Sequence, residues 1–266
     1  MTKTSTTIHP GAPSVHPEAF EVPSEAAFSQ NVAFREQDTS IRVAVSTVII
    51  TLRRGEYGDG ALEMALPLVM RTREPFRDHW ALPGGWLRTQ ESVDAAARRT
   101  LAETTGLAPS YLEQLYAFGA VDRSPTRVVS IVYWALLRPD HAAAACAREN
   151  VEWFDATALP TLAFDHNQIV EYALWRLRNK MGYSQIAHGL LAEEFTLSDL
   201  REVYEVILAR KLDPANFRRQ VEHSGTLIPT ENFRTGSHRP ARLYRNNPDV
   251  ELADRGPLTT PESRTP

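Results

Sequence analysis

Between residues 85 and 107 the chain reads GWLRTQESVDAAARRTLAETTGL, and within it Thr100, Glu103 and Thr104 fall at i, i+3 and i+4. On a helix that spacing puts all three on one face. Three carboxylates so placed could gather Mg²⁺, a hard cation that takes oxygen ligands and relies on their charge. A metal so held can polarise an oxygen of its ligand and activate water. Here Glu103 alone brings a charge, and a threonine hydroxyl does not restore one. The spacing therefore predicts a metal cluster that is weakly held or absent, with no catalytic and no metal-binding residues. Gly84 and Gly85 permit a tight turn and close approach of a backbone to a diphosphate.

A second group of chemistry-bearing residues lies far downstream. The segment TLSDLREVYEVILARKLDPANFRRQV has the proportions of two helices flanking a short turn near Lys211 and Leu212. Thr196 or Ser198 would cap the first helix, and Asp213 followed by Pro214 would open the second. Asn216, Arg218 and Arg219 sit in the N-terminal half of that second helix, the half that faces base edges in helix-turn-helix proteins. Phe217 and Val221 form its core side. Beyond it, LIPTENFRTGSHRPARLYR alternates around a glycine-containing turn and reads as a wing, with Arg234, His238 and Arg239 near its tip. Lys211, Arg234, Arg239 and Arg242 are assigned mainly to the DNA backbone. No cysteine or second close histidine accompanies His223 or His238, so no metal is expected there.

The elements that must hold these groups follow from patterning. RVAVSTVIITLRR is β-branched and reads as a buried strand, and ALEMALPLVMRTR as a second whose Pro67 marks an edge or irregular position. A helix is expected over 91–105, a strong strand at VVSIVYWALL and a short one at NVEWFD. From HNQIVEYALWRLRNKM onward the spacing is helical, with SQIAHGLLAEE a shorter helix. The division expected is a Ser/Thr/Pro-rich disordered arm over 1–40, a mixed domain over 41–160, a helical and winged module over 161–245 and a disordered tail over 246–266.

Net charge is −4, which argues against nucleic acid until its distribution is seen: residues 210–245 carry eight basic and three acidic residues, a basic window on an acidic body. The one cysteine, Cys146, excludes an internal disulfide framework and reads as a small helix residue in an alanine-rich run. The N-terminus lacks an apolar signal-peptide core, and no apolar run is long enough to span a membrane. These features place the chain in the cytoplasm.

Gly85, Glu91, Arg99, Leu101, Glu103, Gly106 and Leu107, preceded by WALPGG, stand in the register of a Nudix box, G-x5-E-x7-R-E-U-x-E-E-x-G-U with U aliphatic. Residues 42–155 thus resemble the Nudix hydrolase superfamily, which implies an α/β/α sandwich and a nucleoside diphosphate linked to another group. Thr100 and Thr104 replace two of the three metal-binding glutamates. EPFRDHWALPGGW, RVVSIVYWALL and LAFDHNQIVEYALWRLRNKMGY, with FTLSDLREVYE, LDPANFRR and GSHRPARLYR, extend the likeness over 42–245 to the Nudix-related transcriptional regulator (NrtR) family. The resemblance implies an α+β chain in which a Nudix-like sandwich precedes a winged helix-turn-helix domain. It implies a bacterial homodimeric repressor, commonly of NAD biosynthesis or salvage genes, on a palindromic double-stranded operator. ADP-ribose or an NAD-related nucleotide would be the effector, with no cofactor required. Some members govern sugar metabolism and some retain diphosphatase activity. The effector is expected near Gly84, Gly85 and Glu103, with Phe76, Trp80 or Tyr133 stacking on its base and Arg73 and Arg127 meeting its phosphates. The rival readings are an active ADP-ribose diphosphatase with an accessory basic domain, and an RNA-processing Nudix protein.

Overall fold

The computed structural model describes residues 40–250 apart from 56–59, 108, 110, 145–149, 182–185 and 236–239. The expected N-terminal arm, Cys146, His238, Arg239 and most of the expected tail lie outside the described residues.

The long apolar run becomes β1 (Arg42–Arg54), buried without interruption from Val45 to Leu52. Such a run has no polar face to show because both of its faces are covered. One side of the strand, Val48, Ile50 and Leu52, joins Val132, Trp134 and Leu136 of β6 (Val128–Leu136) and Leu66 and Leu68 of β2 (Leu62–Met70) in one core. The helix α3 (His166–Lys180) adds Ile169, Val170, Ala173 and Leu177 to that core. The opposite side packs Val45 and Tyr133 on Ala96 and Ala97, and Ile49, Ala135 and Leu137 on Leu101, all from α1 (Val93–Thr105). α3 is therefore the second layer of the sandwich. The sequence-based boundary after residue 160 counted it with the downstream module, because helical periodicity does not say which surface a helix covers.

β1 and β6 run parallel in register from Arg42↔Val128 to Ile50↔Leu136. Around them the sheet order is β3-β2-β1-β6-β5, with β3 (Trp80–Ala81) and β5 (Tyr111–Phe118) outermost. β4 (Gly84–Trp86) pairs with β1, and β7 (Val151–Asp155) with β2. Pro67 sits where the β1 ladder has ended at Thr51↔Ala65 and the β3 ladder has not begun at Val69↔Ala81, so on that edge its missing N–H leaves no gap. Gly84 is fixed by packing: a Cβ there would lie 2.4 Å from the Val45 carbonyl oxygen.

α2 (Pro139–Ala144) follows β6. After α3, a 3-10 turn over Ile186–Leu190 stands where a short helix was expected. The winged module then opens with α4 (Leu197–Leu208), closed at its N-terminus by a Thr196–Asp199 capping box. α5 (Pro214–Ser224) has Asp213 as N-cap, Pro214 in its first turn and Gly225 at φ 67 as its C-terminal stop. Glu205, buried on α4, accepts from Arg201, from Lys211 and from the Leu212 backbone N–H, and so pins the turn between the two helices. β8 (Leu227–Arg234) and β9 (Ala241–Asn246) form the wing, and β9 also bridges back through Tyr244 to Phe195. Asn247 donates to the Thr226 and Gly225 carbonyls, so residues 246–250 of the expected tail continue the module.

His188, in the 3-10 turn, is buried against Phe195 with no partner for Nδ1 among the described residues. Burial pushes its pKa down to about 4, and that of buried His166 likewise to about 4. The unfolded chain takes up these protons below about pH 6.5, whereas the folded chain waits until about 4. Stability should therefore hold above pH 6.5 and fall as pH drops toward 4. In denaturant unfolding at pH 7 and pH 5, His188→Phe should lose less stability between the two than wild type does. An unchanged difference would remove His188 from the account.

Candidate functional site

A cavity of about 600 Å³ opens beside the N-terminal half of β1. Ala44 and Ser46 form its floor, β4 and Thr104 of α1 one side, and the 71–75 loop, Phe164 and His166 the other. Arg42 enters it stacked on Trp86, its guanidinium 3.6 Å from the ring centre, a favourable cation–π distance. Arg71 lies 4.8 Å over the Phe164 ring and donates to the Pro75 carbonyl at 2.9 Å.

The turn before α1 is held by one arginine. Arg99 binds Glu91 through Nε and NH2 (2.8 and 2.5 Å), the Trp86 carbonyl at 3.1 Å and Glu103 at 3.0 Å. The Arg99 hydrogen bond holds the Glu91 carboxyl down at about 2, so this brace is ionised at any ordinary pH. Glu103 also meets Arg88 at 3.5 Å. Thr100 is buried and donates to the Ala97 carbonyl, and Thr104 donates to the Thr100 carbonyl at 2.5 Å. Both hydroxyl protons are thus turned back onto the helix. The helix face that spacing singled out offers one carboxylate, already paired with two arginines, and no group of three metal-binding side chains occurs among the described residues.

Of the residues expected around an effector, Arg73, Gly84 and Gly85 line the cavity. Phe76 stands behind it, at φ 64, with its ring 4.7 Å from that of Phe164. The other four lie outside the lining. Trp80 packs on Phe154 at 5.0 Å. Tyr133 is buried against α1, where burial pushes its hydroxyl pKa up. Arg127 donates to the Gly119 carbonyl at 2.8 Å, and Glu103 faces its arginines. Sequence reasoning passed over Arg42, Arg71, Arg123, Ser130, Phe164 and His166. Arg123 and Asp165, which pair at 2.6 and 2.8 Å, are 42 residues apart, and no local spacing signals such a contact.

On the winged module, Asn216, Arg218 and Arg219 are exposed along α5. Arg219 donates to Asn216 at 2.5 Å and Arg218 to Glu222 at 2.9 Å. Lys211 is exposed and paired with Glu205. Arg234, the last residue of β8, pairs with Asp199 of α4 at 2.8 Å, and Arg242 donates to the Thr230 carbonyl. Sandwich and module share one continuous core. They are also joined by Arg54 of β1, which holds Glu202 of α4 through two bonds of 3.3 and 3.2 Å. A second cavity, of about 570 Å³, lies beside this joint; Arg54, Glu202, Asp199 and Arg234 line it and pair with one another.

Residues 42–173 match the NUDIX domain, and residues 187–246 match the NrtR DNA-binding winged helix domain. The chain is 34% identical over 189 residues to the ADPR responsive transcriptional repressor NtrR of Acinetobacter baylyi, covering 69% of this chain and 76% of that protein. It is 35% identical over 122 residues to an ADP-ribose pyrophosphatase of Methanocaldococcus jannaschii, covering 44% of this chain and 72% of that one. The crystal structure of Shewanella oneidensis NrtR complexed with a 27mer DNA superposes with a TM-score of 0.69 at 36% identity, over 78% of this chain and 94% of the other. A Nudix sandwich continuous through a shared core with a winged helix of this type, in a chain 34% identical to a repressor of the same two-part build, is a member of the NrtR family of Nudix-related transcriptional repressors.

Proposed function

We propose that this repressor binds a palindromic operator as a dimer, senses ADP-ribose or an NAD-related nucleotide in the cavity beside β1, leaves that ligand intact, and governs genes of NAD metabolism. The observation that carries this reading is the metal face of α1, where Thr104 lines the cavity in place of a carboxylate and Glu103 is engaged by Arg99 and Arg88. A ligand of the diphosphate class finds positive charge there, from Arg42, Arg71 and Arg73. The two relatives point to one ligand with two fates, since one is named for its response to ADPR and the other for cleaving ADP-ribose. The exposed ion pairs on α5 are worth little in water, so phosphate oxygens or base edges can replace their carboxylate and amide partners. Regulation requires the nucleotide to prefer one arrangement of the repressor over another, because equal affinity for both shifts nothing.

The direct test uses a duplex that the protein itself enriches from random-sequence DNA. Addition of ADP-ribose or of NAD should change the affinity for that duplex severalfold or more; a binding curve unaltered by saturating amounts of either would sink the effector reading. On the same duplex Arg218→Ala should lose about 1–3 kcal/mol while binding to unselected DNA changes less, as expected for a base contact. Equal losses on both would reassign Arg218 to the phosphates.

The second reading, an ADP-ribose diphosphatase, is favoured by the pyrophosphatase relative. With Mg²⁺ or Mn²⁺, wild type should release little AMP from ADP-ribose, and Thr100→Glu with Thr104→Glu should release more. Rapid turnover by wild type would favour the enzyme. No gain in the double variant would mean that more than the metal ligands has been lost.

A further inference from the structure

One polar group on the cavity wall is left over by the frame around it. His166 is 6% exposed, opens α3 and lines the cavity. Its Nδ1 is 3.0 Å from the backbone N–H of Leu82 and accepts from it. A ring nitrogen that accepts carries no proton, so in the neutral ring the proton is on Nε2, which is then a donor. Burial pushes the ring pKa down to about 4, which keeps it neutral at ordinary pH. No hydrogen bond among the described residues falls on Nε2.

The surroundings fix this donor and do not compete for it. Arg123 is nearly fully buried, and its guanidinium is taken up by Asp165 at 2.6 and 2.8 Å and by Ser130 at 2.8 Å. Its charge is therefore answered inside the wall. Phe164 holds φ 58, an unfavourable conformation for a residue with a side chain, and sets its ring 5.4 Å from the imidazole. Phe76 backs Phe164 from the other side. The imidazole is held by the Leu82 bond at one nitrogen and by aromatic packing on its flank, with the other nitrogen left for the cavity.

We infer that His166 Nε2 donates a hydrogen bond to an uncharged acceptor of the bound nucleotide, a sugar hydroxyl oxygen or a ring nitrogen of the base, and so helps decide which nucleotides the cavity admits. The inference rests on the effector reading given above. A neutral donor suits a neutral acceptor, while Arg42, Arg71 and Arg73 on the same lining suit the diphosphate. A ligand with no acceptor at this point would leave a buried N–H unpaired, which is how hydrogen-bonding sites reject analogues that lack one group.

Two variants separate this role from the Leu82 bond. His166→Asn keeps an acceptor where Nδ1 stood and has nothing at Nε2. His166→Gln offers an N–H at the Nε2 position and no acceptor at Nδ1. Each is titrated calorimetrically with ADP-ribose and with AMP, and its Tm is measured without ligand. His166→Asn should stay near the wild-type Tm and bind ADP-ribose roughly tenfold or more weakly. His166→Gln should melt lower yet bind more tightly than His166→Asn. Loss toward both ligands would put the acceptor on the adenosine half, and loss toward ADP-ribose alone on the terminal ribose half. Unchanged affinity in His166→Asn overturns the inference. So does a Gln variant no tighter than the Asn variant, because the ring would then serve only Leu82. If wild type itself takes up neither nucleotide, the effector reading fails and this inference falls with it, an outcome visible before any variant is made.

Discussion

The parallel pairing of β1 with β6 is the constraint from which the other features follow. Both strands are buried on both faces, so each needs a helix layer above and below, and α1 and α3 supply them. Parallel strands cannot be joined by a tight turn. The chain between them must travel out and back, and on the way it lays down β2, β3, β4, α1 and β5. The cavity forms where this excursion returns to β1, since Ala44 and Ser46 face β4 while the 71–75 loop closes over them. At its other end the same strand passes its apolar side chains into the core shared with the winged module, and its last residue, Arg54, grips α4. One strand thus contributes to the ligand wall and to the joint with the DNA-binding helices.

The site itself combines a preserved scaffold with an altered charge. Arg99 still ties Glu91, the Trp86 carbonyl and Glu103 together, so the turn over α1 keeps its shape. On the helix face beneath it the Thr100 and Thr104 hydroxyls bond inward, to the Ala97 and Thr100 carbonyls. Arg123 and Asp165 complete the opposite wall; breaking such a buried pair by removing one partner costs about 3–5 kcal/mol. The cavity between these walls is lined by Arg42, Arg71, Arg73 and Arg123 against one acid, Glu74.

Local features were legible in the sequence to the residue. β1 spans the run that β-branching marked, Thr196, one of the two caps the sequence offered, closes α4, Asp213 caps α5, and Gly225 ends it. Each rests on neighbours in the chain. β5 was not read, because its eight residues mix exposed and half-buried positions as an edge strand does and give no clean alternation. The cavity was legible at Gly84, Gly85 and Arg73 and not at Arg123 or His166, whose partners lie 42 and 84 residues away. Trp80 and Tyr133 show the converse: an aromatic near a motif is read as a stacking platform, but the sheet takes both for packing.

The winged module closes on its own last strand. β9 supplies the partner of β8, and through Tyr244 it supplies both backbone hydrogen bonds to Phe195, just ahead of α4. The sandwich has every strand and both helix layers in place by Lys180. During synthesis the strands of the sandwich are therefore made before the strand that closes the wing. A chain that ended after β8 would keep every residue that lines the cavity beside β1, the last of which is His166, and would lose Tyr244 with its two bonds to Phe195. Its wing would be a single strand whose ladder groups, answered by β9 in the whole chain, would face water.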